Sequence, residues 1–338
     1  MGDALAAPID PYTAALRLPD NASIAYRAYQ RLDGLSDEDR GQRARRRQVA
    51  TSANVQRLLS RRRRDGTIRL GAEHHAYRKY QGTHWTLAAL AELGYPAGDP
   101  SLQPLVDQVH EWLSSPSHLG PPSTVVIPGQ ADRVRRCASQ EGLAIWYLDV
   151  LGLTDDRVDI LASRLVEWQW PDGGWNCDRR PGARTSSVQE TLLPLRGLAS
   201  YMRSGGEDLA VRATVDRAAE FLLERKLLWR RHDGEPILPS WGREPARIHW
   251  PIRFYDVLSA LVVMAEFDRI RDPRCDDALR LLAGKRLTDG GFPAEERTAR
   301  TVEAVCSGGT FADWGPARQT VANPYVSIDA TWVLTLGA

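Results

Sequence analysis

Five short stretches carry polar or ionisable side chains, three of them beside aromatic rings. They read Tyr80-Gln-Gly-Thr-His84-Trp85, Arg135-Arg136-Cys137-Ala-Ser139-Gln140-Glu141, Thr185-Ser186-Ser187-Val-Gln189-Glu190, His249-Trp250-Pro-Ile-Arg253-Phe254-Tyr255-Asp256 and Tyr325-Val-Ser327-Ile-Asp329. Carboxylates and imidazoles in apolar company suit acid/base chemistry, because burial and neighbouring charge tune their proton affinity. Asp256 is the candidate acid, with Tyr255 beside it. Glu141 and His84 are the candidate base or orienting pair. Arg136 and Arg253 suit an anionic head group, as guanidinium forks do. Gln140, Glu190 and Asp329 supply further polar contacts for a substrate. Trp85, Trp250 and Trp332, with Tyr147, offer ring faces to apolar or cationic matter.

Each of these residues also has a structural reading. Glu141 and Glu190 fit first-turn acids matched to a helix dipole. Ser139, Ser186, Ser187 and Ser327 fit helix caps. His84 and His249 fit hydrogen-bonded core histidines. Asp256 and Asp329 sit among bulky neighbours, where an unpaired carboxylate is costly. Each is therefore either paired with an arginine, Arg136 or Arg253 being available, or kept protonated as an acid. Cys137, Cys177, Asp178 and His84 have the types of a zinc set. Their spacing is not diagnostic, and buried structural cysteines are the commoner use. No motif demands a cofactor; zinc and magnesium are the two ions left open.

Alternating helices must position these residues. The richer apolar segments are His75–Leu93, Ala138–Leu151, Ser186–Met202, Pro251–Phe267 and Ser327–Leu336, read as inner helices. Amphipathic segments with charged faces are Ser101–Leu113, Asp155–Trp168, Glu207–Lys226 and Arg274–Lys285, read as outer helices. A first pair, 22–32 and 37–62, completes six inner and five outer helices. The second member carries Arg43, Arg45, Arg46, Arg47 and Arg61 to Arg64, which suits a solvated face or an anionic surface. Loops 115–136 and 293–326 are long enough to be functional or mobile, and Thr310-Phe-Ala-Asp-Trp314-Gly-Pro suggests an ordered patch in the second. Residues 1–20, with Pro8, Pro11 and Pro19, read as an extended arm before a single domain over 21–338.

One punctuation mark recurs. Trp168-Gln-Trp-Pro-Asp-Gly-Gly-Trp-Asn-Cys-Asp178 ends a helix at Pro171, turns tightly through Asp172-Gly173-Gly174, and latches with Trp175. Gln169 is free to bind the turn's backbone. Leu279 to Phe292 repeats the unit, with Lys285 near the Gln position. Worn copies end at Asp65-Gly66 and Asp233-Gly234, and Trp112 to Gly120 fills the remaining gap. A period of roughly 55 residues marks a repeat architecture.

Gln169-x-x-x-Gly173-x-Trp175 after an amphipathic helix resembles the QW motif of squalene–hopene and oxidosqualene cyclases. The Asp-Gly-Gly-Phe form is similar to the repeat of protein prenyltransferase β subunits. Over about 50–338 the chain resembles bacterial proteins with prenyltransferase and squalene-oxidase repeats. The resemblance implies an all-α fold, an α/α toroid of about five and a half to six helix pairs around a central cavity. It does not carry the standard sites. The chain has no Asp-x-Asp-Asp acid and no Asp-Cys-Thr-Ala-Glu. Asp272-Pro-Arg-Cys275 lacks the Asp-x-Cys spacing of the prenyltransferase zinc site, and Asp155-Asp156-Arg-Val-Asp159, which spells Asp-Asp-x-x-Asp, lies at an outer-helix start, the wrong place for the cyclase acid.

The functional expectation is a terpenoid-cyclase-like enzyme acting by acid/base chemistry on an isoprenoid or other largely apolar small molecule. Cyclisation, isomerisation and group transfer all remain open. A non-catalytic toroid binding a ligand or protein is the alternative, and a Cys/His metal enzyme a third. Net charge of +1 argues against a nucleic-acid surface. Four cysteines without a Cys-x-x-Cys pair suit a reducing cytoplasm. No signal peptide and no membrane-spanning run is visible. Oligomeric state is open.

Overall fold

The computed structural model describes residues 11–18, 21–70, 76–121, 125–206, 208–240 and 242–338. Its helices, in chain order, are α1 (Pro11–Ala15), α2 (Ala22–Leu32), α3 (Arg40–Ala50), α4 (Ala53–Leu59), α5 (Thr83–Leu93), α6 (Gln103–Leu113) and α7 (Pro116–Leu119), followed by α8 (Ala138–Val150), α9 (Asp156–Trp168), α10 (Val188–Arg203), α11 (Leu209–Leu223), α12 (Val257–Glu266), α13 (Asp276–Ala283) and α14 (Pro324–Leu336). Helices α2, α5, α8, α10, α12 and α14 pack in that order, and α14 returns to α2. The remaining long helices pack outside them, α9 on α8, α11 on α10 and α13 on α12. The chain is an α/α toroid.

Burial follows the layer. All eleven residues of α5 are buried. Outer helix α9 buries only Val158, Leu161, Ala162, Leu165 and Trp168, one stripe at helical spacing. Inner helices α8 and α10 run in one direction. The Ser139 amide reaches Glu190 at the starts of α8 and α10, and Asp149 meets Ser200 and Ser204 near their ends. Their N-terminal turns therefore share one mouth. α8 and α10 touch backbone to backbone. A Cβ on Gly197 would lie 2.2 Å from the Gly142 carbonyl oxygen, and one on Gly142 would lie 2.4 Å from Pro194 N.

The Asp-Gly-Gly turn forms as its residues require. Gly173 takes φ +95°, and the Trp175 indole donates to Leu165 O at 2.9 Å on the end of α9. Gln169 Nε2 donates to Gly173 O and to Thr214 O of α11, both at 2.8 Å, so the turn also ties one outer helix to the next. In the second copy Gly290 takes φ +92° and Phe292 is fully buried, but Lys285 bonds Glu295 instead of the turn.

Several boundaries differ from expectation. The 37–62 helix breaks at Thr51–Ser52, where Ser52 caps α4 by accepting from Val55 N. The segment starting at His75 becomes helical only at Thr83; residues 71–75 lie outside the described residues. α12 begins at Val257, not Pro251. Its expected first turn is a non-helical bend, and just before it β1 (His249–Trp250) pairs in parallel with β2 (Glu296–Arg297). A second short pair joins β3 (Arg300–Thr301) to β4 (Gly309–Thr310). Within the stretch read as an extended arm, α1 is helical, and Leu16 packs on Ala28 of α2 and Ile328 of α14, over the closing seam. The arginine run turns inward in part: Arg45 stacks on Tyr29, Arg46 bonds Val150 O, and Arg61 stacks on Phe311. Among the described residues, no helix is long and apolar enough to cross a membrane.

Candidate functional site

The ring interior is ionic where a polar-mouthed, aromatic-lined cavity was expected. Arg27 of α2 donates to both oxygens of Asp329 on α14, at 2.9 and 2.6 Å, and to Glu92 of α5 at 3.3 Å. Arg196 of α10 bonds Glu92 at 3.1 Å and Glu266 of α12 at 2.8 and 3.1 Å. Arg31 reaches the same Glu266 at 2.5 Å, and Arg253 lies 3.7 Å from Glu92. Side chains from α2, α5, α10, α12 and α14 thus meet across the ring. Each guanidinium also lies over an indole: Arg27 on Trp250, Arg31 on Trp332, Arg196 on Trp146 and Arg253 on Trp85.

Charge pairing decides the protonation there. Burial alone would raise Glu92 and Glu266, but Arg196, with Arg27 and Arg253 at Glu92 and Arg31 at Glu266, holds both below the usual carboxylate range. Arg253 is pushed down to about 10 by burial and by Arg196, against the pull of Glu92. Five residues expected to bind substrate, Trp85, Trp250, Arg253, Asp329 and Trp332, are therefore parts of this network. It floors the deeper half of the toroid. Asp329 and Arg253 are paired as one reading allowed, although Asp329 takes Arg27 as partner instead of Arg136 or Arg253.

Asp256 is occupied as well. Oδ1 accepts from Ser259 N while Asp256 N donates to Ser259 Oγ, both at 2.8 Å, a reciprocal capping box that starts α12, and Oδ2 accepts from His249 N at 2.9 Å. Tyr255 spends its hydroxyl on Leu227 O at 2.7 Å. His249 lies between two carboxylates: Nε2 is 3.0 Å from Glu296, and Nδ1 is 3.3 Å from Asp256 without hydrogen-bond alignment. Burial lowers its proton affinity, yet the close carboxylate of Asp256, with the hydrogen-bonded Glu296, raises it overall. This arrangement clips β1 to the start of α12.

The remaining candidates gather at the mouth between α5, α8 and α10. Cys137 is the residue before α8, Cys177 follows the Asp-Gly-Gly turn, and Glu190 is in the first turn of α10. Their ligand atoms all lie within 4.8 Å of one another. Cys177 Sγ is 3.6 Å from Glu190 Oε1, while Glu190 Oε2 accepts from Ser139 N at 3.1 Å. Burial raises Glu190 above its ordinary range. Contact with Cys137, then burial, raises the Cys177 thiol. Tyr77, bonded to Gln140, senses this group, and burial pushes its hydroxyl up to about 12. Arg136 stacks on Trp168 and is lowered by burial, with Glu141 opposing.

Glu141 is fully buried in the first turn of α8, and its Oε1 bonds His118 Nε2 of α7 at 2.7 Å. Among the described residues its Oε2 has no partner, and neither has Nε2 of buried His84, whose Nδ1 meets the Tyr147 hydroxyl at 3.1 Å. Burial, aided by Arg253 and His118, lowers His84 to about 3, so it is neutral. His84 and Glu141 are thus neighbours through His118 and do not bond each other. Asp178 faces away, paired with Arg180 at 2.6 Å, and its carbonyl accepts from Arg135.

Rings run on from this corner. Centroid steps of 4.9 Å (His118–Trp112), 5.3 Å (Trp112–His84), 5.1 Å (His84–Trp85), 5.1 Å (Trp85–Tyr80) and 6.4 Å (Tyr80–Phe254) form one continuous wall. It ends at a recess of about 450 Å³ lined by Arg78, Lys79, Tyr80, Arg243, Phe254 and the 306–308 turn. The charged residues of that lining are all cations. Lys79 is lowered by burial and by Arg243. Tyr80 takes φ +63°, a left-handed conformation costly for a tyrosine.

His118, Tyr77, Trp112 and the recess cations were not singled out as site residues from sequence. The proline-marked 115–136 loop was the signal for His118. Nothing in the spacing tied Arg78 and Lys79 to Arg243.

No protein-family model matches the chain, and no curated protein matches it. Among solved structures, a glycosyl hydrolase family 88 protein from Bacteroides vulgatus is similar at 12% identity and TM-score 0.33, over 95% of this chain and 74% of that one. A likeness that distant carries no argument about chemistry.

Proposed function

We propose that the protein is an enzyme whose reaction centre is the mouth between α5, α8 and α10, where Glu141, held by His118, handles a proton. The observation that carries this reading is the buried Glu141 carboxylate, bonded through Oε1 and unpartnered at Oε2. A buried carboxylate oxygen without a partner costs free energy, and reactive groups are where such a cost is tolerated. His118 orients the carboxylate and can share its proton; neutral His84 lies beside the pair.

The substrate would be an organic anion with an apolar body. The cationic recess suits the anionic group, and the ring wall between recess and Glu141 suits the body. An isoprenyl diphosphate has this form and agrees with the motif resemblance. The reaction would be proton transfer leading to isomerisation, cyclisation or group transfer.

Farnesyl diphosphate and farnesol, compared by thermal shift, test the reading. The diphosphate should raise the transition by a few degrees when saturating, and farnesol should do less. R78A/K79A should lose that difference. E141Q should still be stabilised while product formation falls at least about a hundredfold, the usual scale for a general acid or base. Binding without product in the wild type would make this a binding toroid. Equal shifts for both ligands, or unimpaired turnover by E141Q, would overturn the proposal.

A further inference from the structure

The geometry points to a thiolate-ligated divalent metal site of zinc type, formed by Cys137, Cys177 and Glu190. It stands apart from the acid/base reading and is tested without turnover. Two sulfurs and a carboxylate oxygen lie within 4.8 Å of one another. A tetrahedral zinc with bonds of about 2.3 Å to sulfur and 2.0 Å to oxygen sets its ligands roughly 3.5–3.8 Å apart. Small side-chain rotations therefore close the set. Two thiolates select a borderline-soft ion over magnesium or calcium.

The elements hold the ligands in place. Cys137 stands at the N-terminal end of α8. Cys177 hangs from the turn that Gln169 and Trp175 anchor to two outer helices. Glu190 has one oxygen fixed by the Ser139 amide, leaving Oε1 toward Cys177. A fixed far oxygen is the second-shell support that metal carboxylates need.

A divalent ion would displace the two thiol protons, and the Glu190 proton where present, to solvent. Three protein ligands leave a fourth position, as catalytic zinc sites do. An independent sign that this corner accepts a ligand is Glu141, whose unpartnered oxygen belongs to the same first turn of α8.

The test uses full-length protein, reduced, stripped with chelator and titrated with Zn²⁺ or Co²⁺. Wild-type protein should take up about one ion per chain, and Co²⁺ should give thiolate-to-metal charge-transfer absorption. C137S/C177S should lose that band and at least about tenfold in affinity, and E190Q should weaken binding while retaining the band. C306S is the control that keeps both. Helical circular dichroism checks that the variants fold, and the wild-type cobalt spectrum stands even if they do not. No stoichiometric uptake, cobalt bound without a sulfur band, or a C137S/C177S variant that binds like wild type would each overturn the site.

Discussion

His84 shows how burial sets one residue's contribution to stability. Its ordinary value of 6.5 falls to about 3 in the fold, with burial the largest cause. Between those values the unfolded chain binds a proton that the folded chain refuses. Stability contributed at this position is therefore full above about pH 6.5 and declines as pH falls toward 3, by on the order of 3–5 kcal/mol in all. H84Q removes the titration. Urea unfolding of both proteins from pH 7 to 4 should show the wild type losing ground to H84Q as pH falls; a constant gap would place His84 in a wetter site. His249 works in the opposite sense, its proton affinity being raised, so the comparison must be between variants and not read from one curve. At this scale the sequence named residue types well and partners poorly. Asp329 was marked as costly unless paired, and it is paired, but with Arg27, 302 positions away. Asp256 looked like an acid because its neighbours are apolar. The cap that uses it requires α12 to start only at Val257, which a run of apolar and aromatic residues does not announce. Cys137 and Cys177 were considered together, yet the third ligand atom beside them is Glu190, since His84 turns to Tyr147 instead.

Among the elements, α8 and α10 carry the mouth cluster on opposite sides of a glycine contact. Gly142 and Gly197 have ordinary helical backbones, so their role is closeness, not conformational freedom. G197A should push the helices apart and destabilise by about 1–3 kcal/mol or more, the usual range for overpacking. It should also separate Cys137 from Glu190, so metal uptake should weaken in the same variant. Chemical denaturation and a cobalt titration check both; an unchanged midpoint would mean that the contact is looser than its 2.2 Å spacing implies. Helix identities were legible because apolar period and turn glycines agree across the repeats. Boundaries were less so. Pro251 can start a helix, yet His249 and Trp250 before it pair with Glu296 and Arg297, and α12 begins only at Val257. Likewise, a cap at Ser52 divides what the arginine-rich pattern made one long helix.

For the whole molecule, a stack of repeats ordinarily unfolds by parts, because each unit touches only its neighbours. Here five of the six inner helices share one buried charge network. Removing a single member leaves buried charge uncompensated, which costs about 3–5 kcal/mol. R196M strips Glu92 and Glu266 of a common partner. Urea unfolding followed by helical signal and by tryptophan emission should coincide in the wild type. In R196M the midpoint should fall and the two signals should separate; an unchanged midpoint would show that the network adds nothing. The toroid itself was legible from its period, but its filling was not, since apolar inner helices suggest an apolar interior. Arg27, Arg31, Glu92, Arg196 and Glu266 converge only after the ring has closed. The same convergence gives the protein built-in optics. Guanidinium groups lie 3.8 Å from the ring centres of Trp146 and Trp332 and 4.7 Å from that of Trp250. A fixed positive charge against an indole shifts the energy of its excited state. The colour of the protein's own fluorescence therefore records whether the floor is assembled, with no label attached.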